Sequence, residues 1–222
     1  MMNLEGIEIS WLGHAALKIK ASEKLIYIDP FQIKGSEPAD LILITHPHYD
    51  HCSISDIMKI AKDGTMIICT ADSQSAITKL DKKVNLQLIE PGEKITYDNI
   101  EIHAVPSYNI GKIFHQKSDG WVGYVARIGK IIIYHAGDTD FIDEMKKLSG
   151  YAKHDNKFIA FLPVGGKFTM NAEEAAKAAK VINANITVPI HYGSIIGSEK
   201  DAEIFVKLCE DEDVNARIFE KE

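Results

Sequence analysis

Thr45-His46-Pro47-His48-Tyr49-Asp50-His51 places three histidines and one aspartate within six consecutive positions of this 222-residue chain. The stretch directly follows Ala39-Asp40-Leu41-Ile42-Leu43-Ile44, a largely apolar run typical of a buried β-strand. In α/β folds functional residues often follow strands, and imidazole with carboxylate is a ligand set for zinc or a similar transition ion. Burying four such side chains without partners would be costly, so the pattern favours a metal site over a solvated polar loop.

The spacing within this loop indicates how its ligands are distributed between two metal ions. His46 and His48 are one residue apart, so their side chains point the same way from an extended chain and can share one ion. Asp50 and His51 lie past the turn and can hold a second ion beside the first. Cys52 follows directly, but four ligands already precede it. We therefore interpret Cys52 as a small residue at the start of the next helix.

The loop has the H-x-H-x-D-H pattern, and in this and three further motifs the chain resembles the metallo-β-lactamase superfamily. Asp29, after the strand-like run 24–28, resembles the first-motif aspartate that supports the histidine loop. Asp138 in Gly137-Asp138-Thr139 resembles the fourth-motif aspartate that bridges two ions, and His191 resembles the fifth-motif ligand of the second ion. The resemblance implies six metal ligands, which are His46, His48, Asp50, His51, Asp138 and His191.

The third motif departs from the family pattern. Where the family supplies another histidine, the corresponding run Ala104–Asn109 has none. The nearest candidate is His115, for which the roles of an extra ligand, a substrate contact and a solvated surface residue all stay open. A shell lacking one ligand would bind its ion weakly, so the number of ions, one or two, is open as well. His14, in Gly13-His14-Ala15, resembles a family motif near the metal loop, and we expect it to support the ligands rather than bind the ion.

Composition and charge narrow the class of protein. Hydrophobic residues make up 45% and charged residues 26% of the chain, as in an ordinary globular protein. The net charge of −7 is spread without a basic stripe, which argues against a nucleic-acid partner. Residues 1–9 lack the pattern of a signal peptide, and no window is long and apolar enough for a membrane helix. Three widely spaced cysteines indicate reduced thiols, so we expect a cytoplasmic protein with no membrane partner.

Hydrophobic patterning gives the coarse architecture. Closely spaced strand-like runs at 7–11, 15–20 and 25–28, with a turn at Ala21-Ser22-Glu23-Lys24, predict an antiparallel meander. Further strands are predicted at 39–44, 65–69, 84–89, 94–97, 100–105, 121–128, 131–134, 158–162, 187–190 and 215–219. Helices are predicted at 53–62, 72–80, 140–149, 172–182 and 200–210.

This order of elements alone gives an α/β or α+β class. The resemblance implies the α+β version, a four-layer αβ/βα metallo-β-lactamase sandwich of two mixed sheets with helices on both outer faces. No linker, low-complexity tract or short repeat interrupts the sequence. We therefore predict one hydrolase domain over residues 1–222.

The resemblance implies a metal-dependent hydrolase in which metal-bound hydroxide attacks a small ester, lactone or phosphoester. Runs 11–15, 134–139 and 189–192 most resemble a branch related to L-ascorbate 6-phosphate lactonase, so the chain is expected to be lactonase-like. Zinc is the expected cofactor, with manganese or iron as alternatives. Asp50 is the expected catalytic residue, because it would ligate an ion and orient the attacking water.

Two alternatives stay open. A phosphodiesterase or nuclease is disfavoured by the acidic balance of the chain, and the missing third-motif histidine allows a non-catalytic metal-binding or sensing protein. The expected partner is a small-molecule substrate, and the sequence is compatible with a homo-oligomer.

Lys112, Lys117 and Lys167 lie in loops expected to border the site and could attract an anionic group.

Overall fold

The computed structural model describes residues 1–21 and 23–222, which divide into two compact units. The first unit is Met1–Glu90 with Glu220–Glu222, and the second is Pro91–Phe219. Ser22, in the turn predicted between Ala21 and Lys24, lies outside the described residues. The single domain over residues 1–222 stays a prediction.

The first unit contains a seven-stranded mixed sheet whose strands follow chain order. Neighbours are antiparallel from β1 to β4 and parallel from β4 to β7, so the predicted meander is confirmed. The strands are β1 (Met2–Leu4), β2 (Ile7–Gly13), β3 (Ala16–Ala21), β4 (Lys24–Ile28), β5 (Leu41–Ile44), β6 (Met66–Cys69) and β7 (Asn85–Leu88). The pattern did not predict β1, because three residues are too few to show an alternation.

Two helices accompany this sheet, α1 (Ile54–Ile60) and the short α2 (Gln74–Ile77). Ser53 caps α1, since its side chain accepts a hydrogen bond from the Asp56 amide. Buried residues of α1 share one apolar cluster with alternate residues of β5, which fixes the helix over the strand that leads into the histidine loop. The helix predicted at 72–80 is shorter in the structure, with a 3₁₀ turn at Ala71–Ser73 preceding α2.

The second unit contains a six-stranded mixed sheet in the order β13-β12-β11-β10-β9-β8. Strands β8 to β11 are antiparallel to their neighbours, whereas β11, β12 and β13 are parallel. The strands are β8 (Lys94–Tyr97), β9 (Ile100–Pro106), β10 (Val122–Ile128), β11 (Ile131–His135), β12 (Lys157–Pro163) and β13 (Ile186–Ile190). The helices are α3 (Ala172–Ile182) and α4 (Glu199–Glu210), with 3₁₀ segments at Lys117–Asp119 and Asp143–Gly150. The predicted class, with two mixed sheets and accompanying helices, is confirmed.

Two predictions in this unit hold only in part. The helix expected over 140–149 is present as a 3₁₀ segment that starts at Asp143. The Asp140 carboxylate accepts hydrogen bonds from the Ile110 amide and the Lys112 ammonium instead of capping a helix. The strand expected over 215–219 is reduced to an isolated bridge at Ala216, where the backbone of Asn215 and Arg217 bonds to that of Thr187. No helix among the described residues is long and apolar enough to cross a membrane.

Candidate metal centre

Asp29 anchors the histidine loop within the first unit. Because β4 and β5 are parallel, Asp29 and Thr45 leave the sheet at the same edge. Asp29 Oδ1 accepts a hydrogen bond from the Thr45 amide at 2.8 Å, and Oδ2 accepts one from the Thr45 hydroxyl at 2.6 Å. Oδ2 also lies 2.7 Å from His51 Nδ1. Since Asp29 is fully buried, these contacts compensate the burial of its charge and hold the ring of His51 in one orientation.

The hydrogen bonds of the loop show which ring nitrogens of its histidines carry a hydrogen. The single hydroxyl hydrogen of Thr45 is donated to Asp29, so the contact of 2.9 Å between Thr45 Oγ1 and His46 Nδ1 needs a hydrogen on that nitrogen. His51 likewise donates from Nδ1 to the Asp29 carboxylate. The Nε2 lone pairs of neutral His46 and His51 are then oriented to bind a cation. Burial raises the pKa of the Cys52 thiol to about 12, which agrees with its interpretation as a small packed residue.

The imidazole of His48 lies close to that of His46, which in turn lies close to that of His51. His46 Nε2 is 3.1 Å from His48 Nδ1, and the ring centroids of His46 and His51 are 4.0 Å apart. Two nitrogens bound to one tetrahedral zinc at 2.0–2.1 Å would be separated by roughly 3.3–3.4 Å. The donor types and their spacing therefore fit an ion shared by His46 and His48.

Asp50 is held by His14. Asp50 Oδ2 lies 2.9 Å from His14 Nε2 and 3.7 Å from His51 Nε2. The backbone of His14 is fixed in turn, since its carbonyl accepts a hydrogen bond from Trp11 Nε1 at 2.9 Å. His14 thus contacts a predicted ligand, and this contact defines the direction in which the Asp50 carboxylate points.

The second unit brings three of the predicted residues together around Asp138. Asp138 and His191 follow β11 and β13, which both run parallel to the intervening β12, so the two residues leave the same edge of the sheet. Asp138 Oδ1 is 3.2 Å from His191 Nε2, and Asp138 Oδ2 is 3.3 Å from His115 Nε2. His115 is only 3% exposed, which excludes the solvated surface role. The two distances fit the separation of ligand atoms that share an ion, roughly 3.3–3.4 Å.

Two residues that the sequence did not predict place these histidines. The Asn109 side chain lies 3.1 Å from His115 Nδ1 and donates to the Phe168 carbonyl at 2.7 Å. Gly165 follows β12 so closely beside His191 that an added Cβ would lie 2.6 Å from the His191 carbonyl oxygen. The Gly165-Gly166 pair at the end of a strand was an available signal of such a close approach. No sequence pattern distinguished Asn109.

Several residues of the candidate site, and others elsewhere in the chain, have left-handed backbone. Among the non-glycine residues with left-handed backbone are His14 (φ +49°), Asp29 (φ +46°), His115 (φ +52°) and His191 (φ +61°). Residues with a Cβ adopt this region at a cost of about 1–2 kcal/mol. Such strain persists where the surrounding contacts fix the conformation, which is a common property of functional sites.

The three lysines expected to attract an anion are engaged within the chain. Lys112 Nζ lies 2.5 Å from Asp140 Oδ1 and donates to the Thr169 carbonyl at 2.8 Å. Lys117 pairs with Glu144 at 2.9 Å, and Lys167 lies over the Phe168 ring at 5.0 Å from its centroid. An anionic substrate stays a prediction.

Comparison with known proteins identifies the family. The sequence profile of the beta-lactamase superfamily domain matches residues 8–191. A UPF0173 metal-dependent hydrolase of Thermoplasma acidophilum is 32% identical over 214 residues, covering 93% of this chain and 92% of that protein. Another from Thermococcus kodakarensis is 35% identical over 221 residues, covering 92% of this chain and 93% of that protein.

Solved structures agree with this assignment. A candidate metal-dependent hydrolase from Parabacteroides distasonis has a TM-score of 0.82 and 30% identity, covering 97% of this chain and 94% of that one. A metallo hydrolase from Ignicoccus hospitalis has a TM-score of 0.78 at 23% identity, covering 97% and 95%, and bears on the fold alone. The metallo-β-lactamase fold is confirmed, and the names of the relatives together with the histidine and aspartate groups support a metal cofactor. Because the profile spans most of the chain and the relatives match it nearly from end to end, the chain belongs to the metallo-β-lactamase superfamily and, within it, to the UPF0173 family of metal-dependent hydrolases.

Proposed function

We propose that the chain hydrolyses a small ester, lactone or phosphoester at a metal centre. The observation that carries this proposal is the arrangement at Asp138, whose two carboxylate oxygens each face the Nε2 of a different buried histidine. Such a carboxylate suits the bridging role that the family motif implies. The proposed ligands are the six that the motifs indicate, His46, His48, Asp50, His51, Asp138 and His191.

Zinc is the proposed ion, because imidazole and carboxylate are ligands it accepts, and manganese or iron are the alternatives. An ion bound by these residues would lower the pKa of a water toward about 7 and polarise the substrate oxygen. We propose a small-molecule substrate and no nucleic-acid partner from the acidic balance of the chain. A location in the cytoplasm, with no membrane partner, is proposed from the three widely spaced cysteines and the sequence patterns of the chain. The lactonase-like branch is proposed on the motif resemblance alone.

Asp50 is the proposed catalytic residue. Its Oδ2 is held by His14 Nε2 at 2.9 Å, so Oδ1 is the oxygen assigned to accept a hydrogen bond from the attacking water. The negative charge orients the water and favours removal of its proton. His14 positions Asp50, and Asp29 positions His51. His115, beside Asp138, is proposed as an additional ligand or a substrate contact.

The test combines metal analysis with turnover on a panel of esters, lactones and phosphodiesters. Wild type should bind stoichiometric metal, His191→Asn should lose part of it, and Asp50→Asn should stay folded but inactive. Asparagine is chosen at His191 because it tolerates the left-handed backbone. His154→Asn is the matched control, since His154 is exposed and has φ +59° against +61° at His191.

Each other outcome has a defined meaning. Metal-loaded wild type that fails on the whole panel would reject the hydrolase proposal in favour of a metal-binding or sensing protein. Turnover of phosphodiesters alone would favour the phosphodiesterase alternative. Equal metal content in wild type and His191→Asn would remove His191 from the ligand set.

A further inference from the structure

The loop between β9 and β10 exposes a group of large apolar side chains. Ile110 is 60% exposed, Ile113 80% and Phe114 42%. Single exposed apolar residues are common on proteins, but several within five consecutive positions indicate a contact surface. These residues directly precede His115, so the exposed group belongs to the same loop as a residue of the candidate site.

Hydrogen bonds fix the shape of this loop. The Asn109 backbone amide donates to the His115 carbonyl at 2.7 Å, which closes the segment 109–115 within the loop. Inside this segment, the Ile110 amide donates to Asp140 at 2.8 Å, and Lys112 pairs with the same carboxylate. The loop is therefore braced, and its apolar side chains are presented in a defined position.

Phe114 is connected to the Asp138 group through a series of direct contacts. The Phe114 ring packs edge-on against Phe168, with centroids 5.0 Å apart. The backbone carbonyl of Phe168 accepts the hydrogen bond from Asn109, which in turn contacts His115. The aromatic pair and the carboxylate are thus linked through one set of packed residues.

The charges around the loop do not favour a strongly anionic group. The ammonium groups of Lys112 and Lys117 are paired with carboxylates, and that of Lys167 lies over Phe168. Recruiting any of them to a substrate would break an existing contact. Phe114 and Phe168 instead offer apolar surface that is connected by contacts to the candidate site, and Ile113 adds exposed apolar surface one residue before Phe114.

We propose that Ile113, Phe114 and Phe168 form an apolar platform for the acyl or aryl part of the substrate. The chain then prefers esters or lactones that carry an apolar group of several carbons. The platform rests on the proposed function, because it serves the reaction assigned to the neighbouring residues. It also predicts apolar ligand binding that does not require turnover.

The test uses the metal-loaded protein and p-nitrophenyl esters of increasing acyl length, from acetate to octanoate. Full burial of a methylene contributes about 0.8 kcal/mol, so kcat/KM should rise by up to about fourfold per added methylene. Phe114→Ser and Ile113→Ser should flatten this dependence on chain length. Ile218→Ser is the matched control, because Ile218 is 45% exposed, outside the loop, and should leave the dependence unchanged.

A second measurement separates the platform from the reaction. Calorimetric titration with butyrate and octanoate should show tighter binding of octanoate, and Phe114→Ser should remove the difference. This result without turnover of any ester, lactone or phosphodiester would support the platform and reject the proposed reaction. Ester turnover that is indifferent to chain length would reject the platform and leave the reaction standing. A wild-type dimer that becomes monomeric in Phe114→Ser, with no length dependence, would overturn the proposal by assigning the surface to contact between copies.

Discussion

Replacing Asp29 by asparagine should weaken metal binding and destabilise the first unit. The carboxylate accepts three hydrogen bonds, from the amide and hydroxyl of Thr45 and from His51 Nδ1. An asparagine amide has one acceptor oxygen and one NH2 donor. If its oxygen replaces Oδ2, the NH2 faces the Thr45 amide, donor against donor. If its oxygen replaces Oδ1, the NH2 faces His51 Nδ1, which must then accept and carry its hydrogen on Nε2 instead.

The size of the effect follows from these contacts. Hydrogen bonds to a charged group contribute about 1.5–3 kcal/mol each, and Asp29 is fully buried. Loss of one bond with a mismatched donor should therefore lower the free energy of unfolding by about 2–4 kcal/mol. Loss of a residue that orients a metal ligand typically weakens metal affinity by about 10–100-fold. Both losses are expected in Asp29→Asn.

Competition with a chromophoric chelator measures the affinity, and urea denaturation of the metal-free protein measures the stability. Asp40→Asn is the matched control. Asp40 accepts hydrogen bonds from the Leu25 amide at 2.9 Å and from Lys62 at 2.7 Å, but it lies at the opposite end of β5 from the histidine loop. It should lose stability and keep its metal affinity. The reasoning is refuted if Asp29→Asn binds metal as tightly as wild type, or if Asp40→Asn loses as much affinity.

Three further predictions concern packing, pH and thiol reactivity. Gly165→Ala should reduce metal content, because its Cβ would lie 2.6 Å from the His191 carbonyl oxygen, whereas Gly150→Ala meets nothing within 4 Å and should retain it. Burial raises the pKa of Asp56, but hydrogen bonds to its carboxylate outweigh this effect, so the pKa in the folded protein is lowered. The ionised Asp56 therefore stabilises the fold at pH values above its unfolded pKa, and this stabilisation is lost as the pH falls through its folded pKa. Asp56→Asn should therefore narrow the difference in unfolding free energy between about pH 7 and about pH 3, measured by urea denaturation. Burial raises the pKa of all three cysteine thiols to about 12, so a thiol reagent at about pH 8 should modify them far more slowly in the native than in the unfolded protein.

The strands and the histidine loop could be predicted because their signals are local. The apolar run of β5 ends where the histidines begin, and α3 starts after Asn171, whose side chain accepts a hydrogen bond from the Glu174 amide. Once β4 pairs in parallel with β5, Asp29 and Thr45 necessarily lie close together at the same edge of the sheet. The hydrophobic pattern and the strand order therefore account for these features.

The rest depends on contacts between residues far apart in the chain. The helix expected from residue 140 starts only at Asp143, and Asp140 is bound instead by Ile110 and Lys112, about 30 residues earlier. The burial of His115 depends on Asn109, whose side chain is held by the Phe168 carbonyl. No local pattern contains these contacts, so the sequence left the role of His115 open.

The left-handed backbone at His191 has a consequence for mutagenesis and for evolution. An alanine there keeps the steric cost of the Cβ, whereas glycine removes it, so His191→Gly should be more stable than His191→Ala by about 1 kcal/mol. An alanine substitution there would therefore combine the effect of backbone strain with the effect of losing the proposed ligand in one measured value. Glycine at this position would remove the proposed ligand and relieve the backbone strain in a single step. Retention of histidine at such a position requires continued selection for what its ring does, because the stability of the backbone alone would favour its loss.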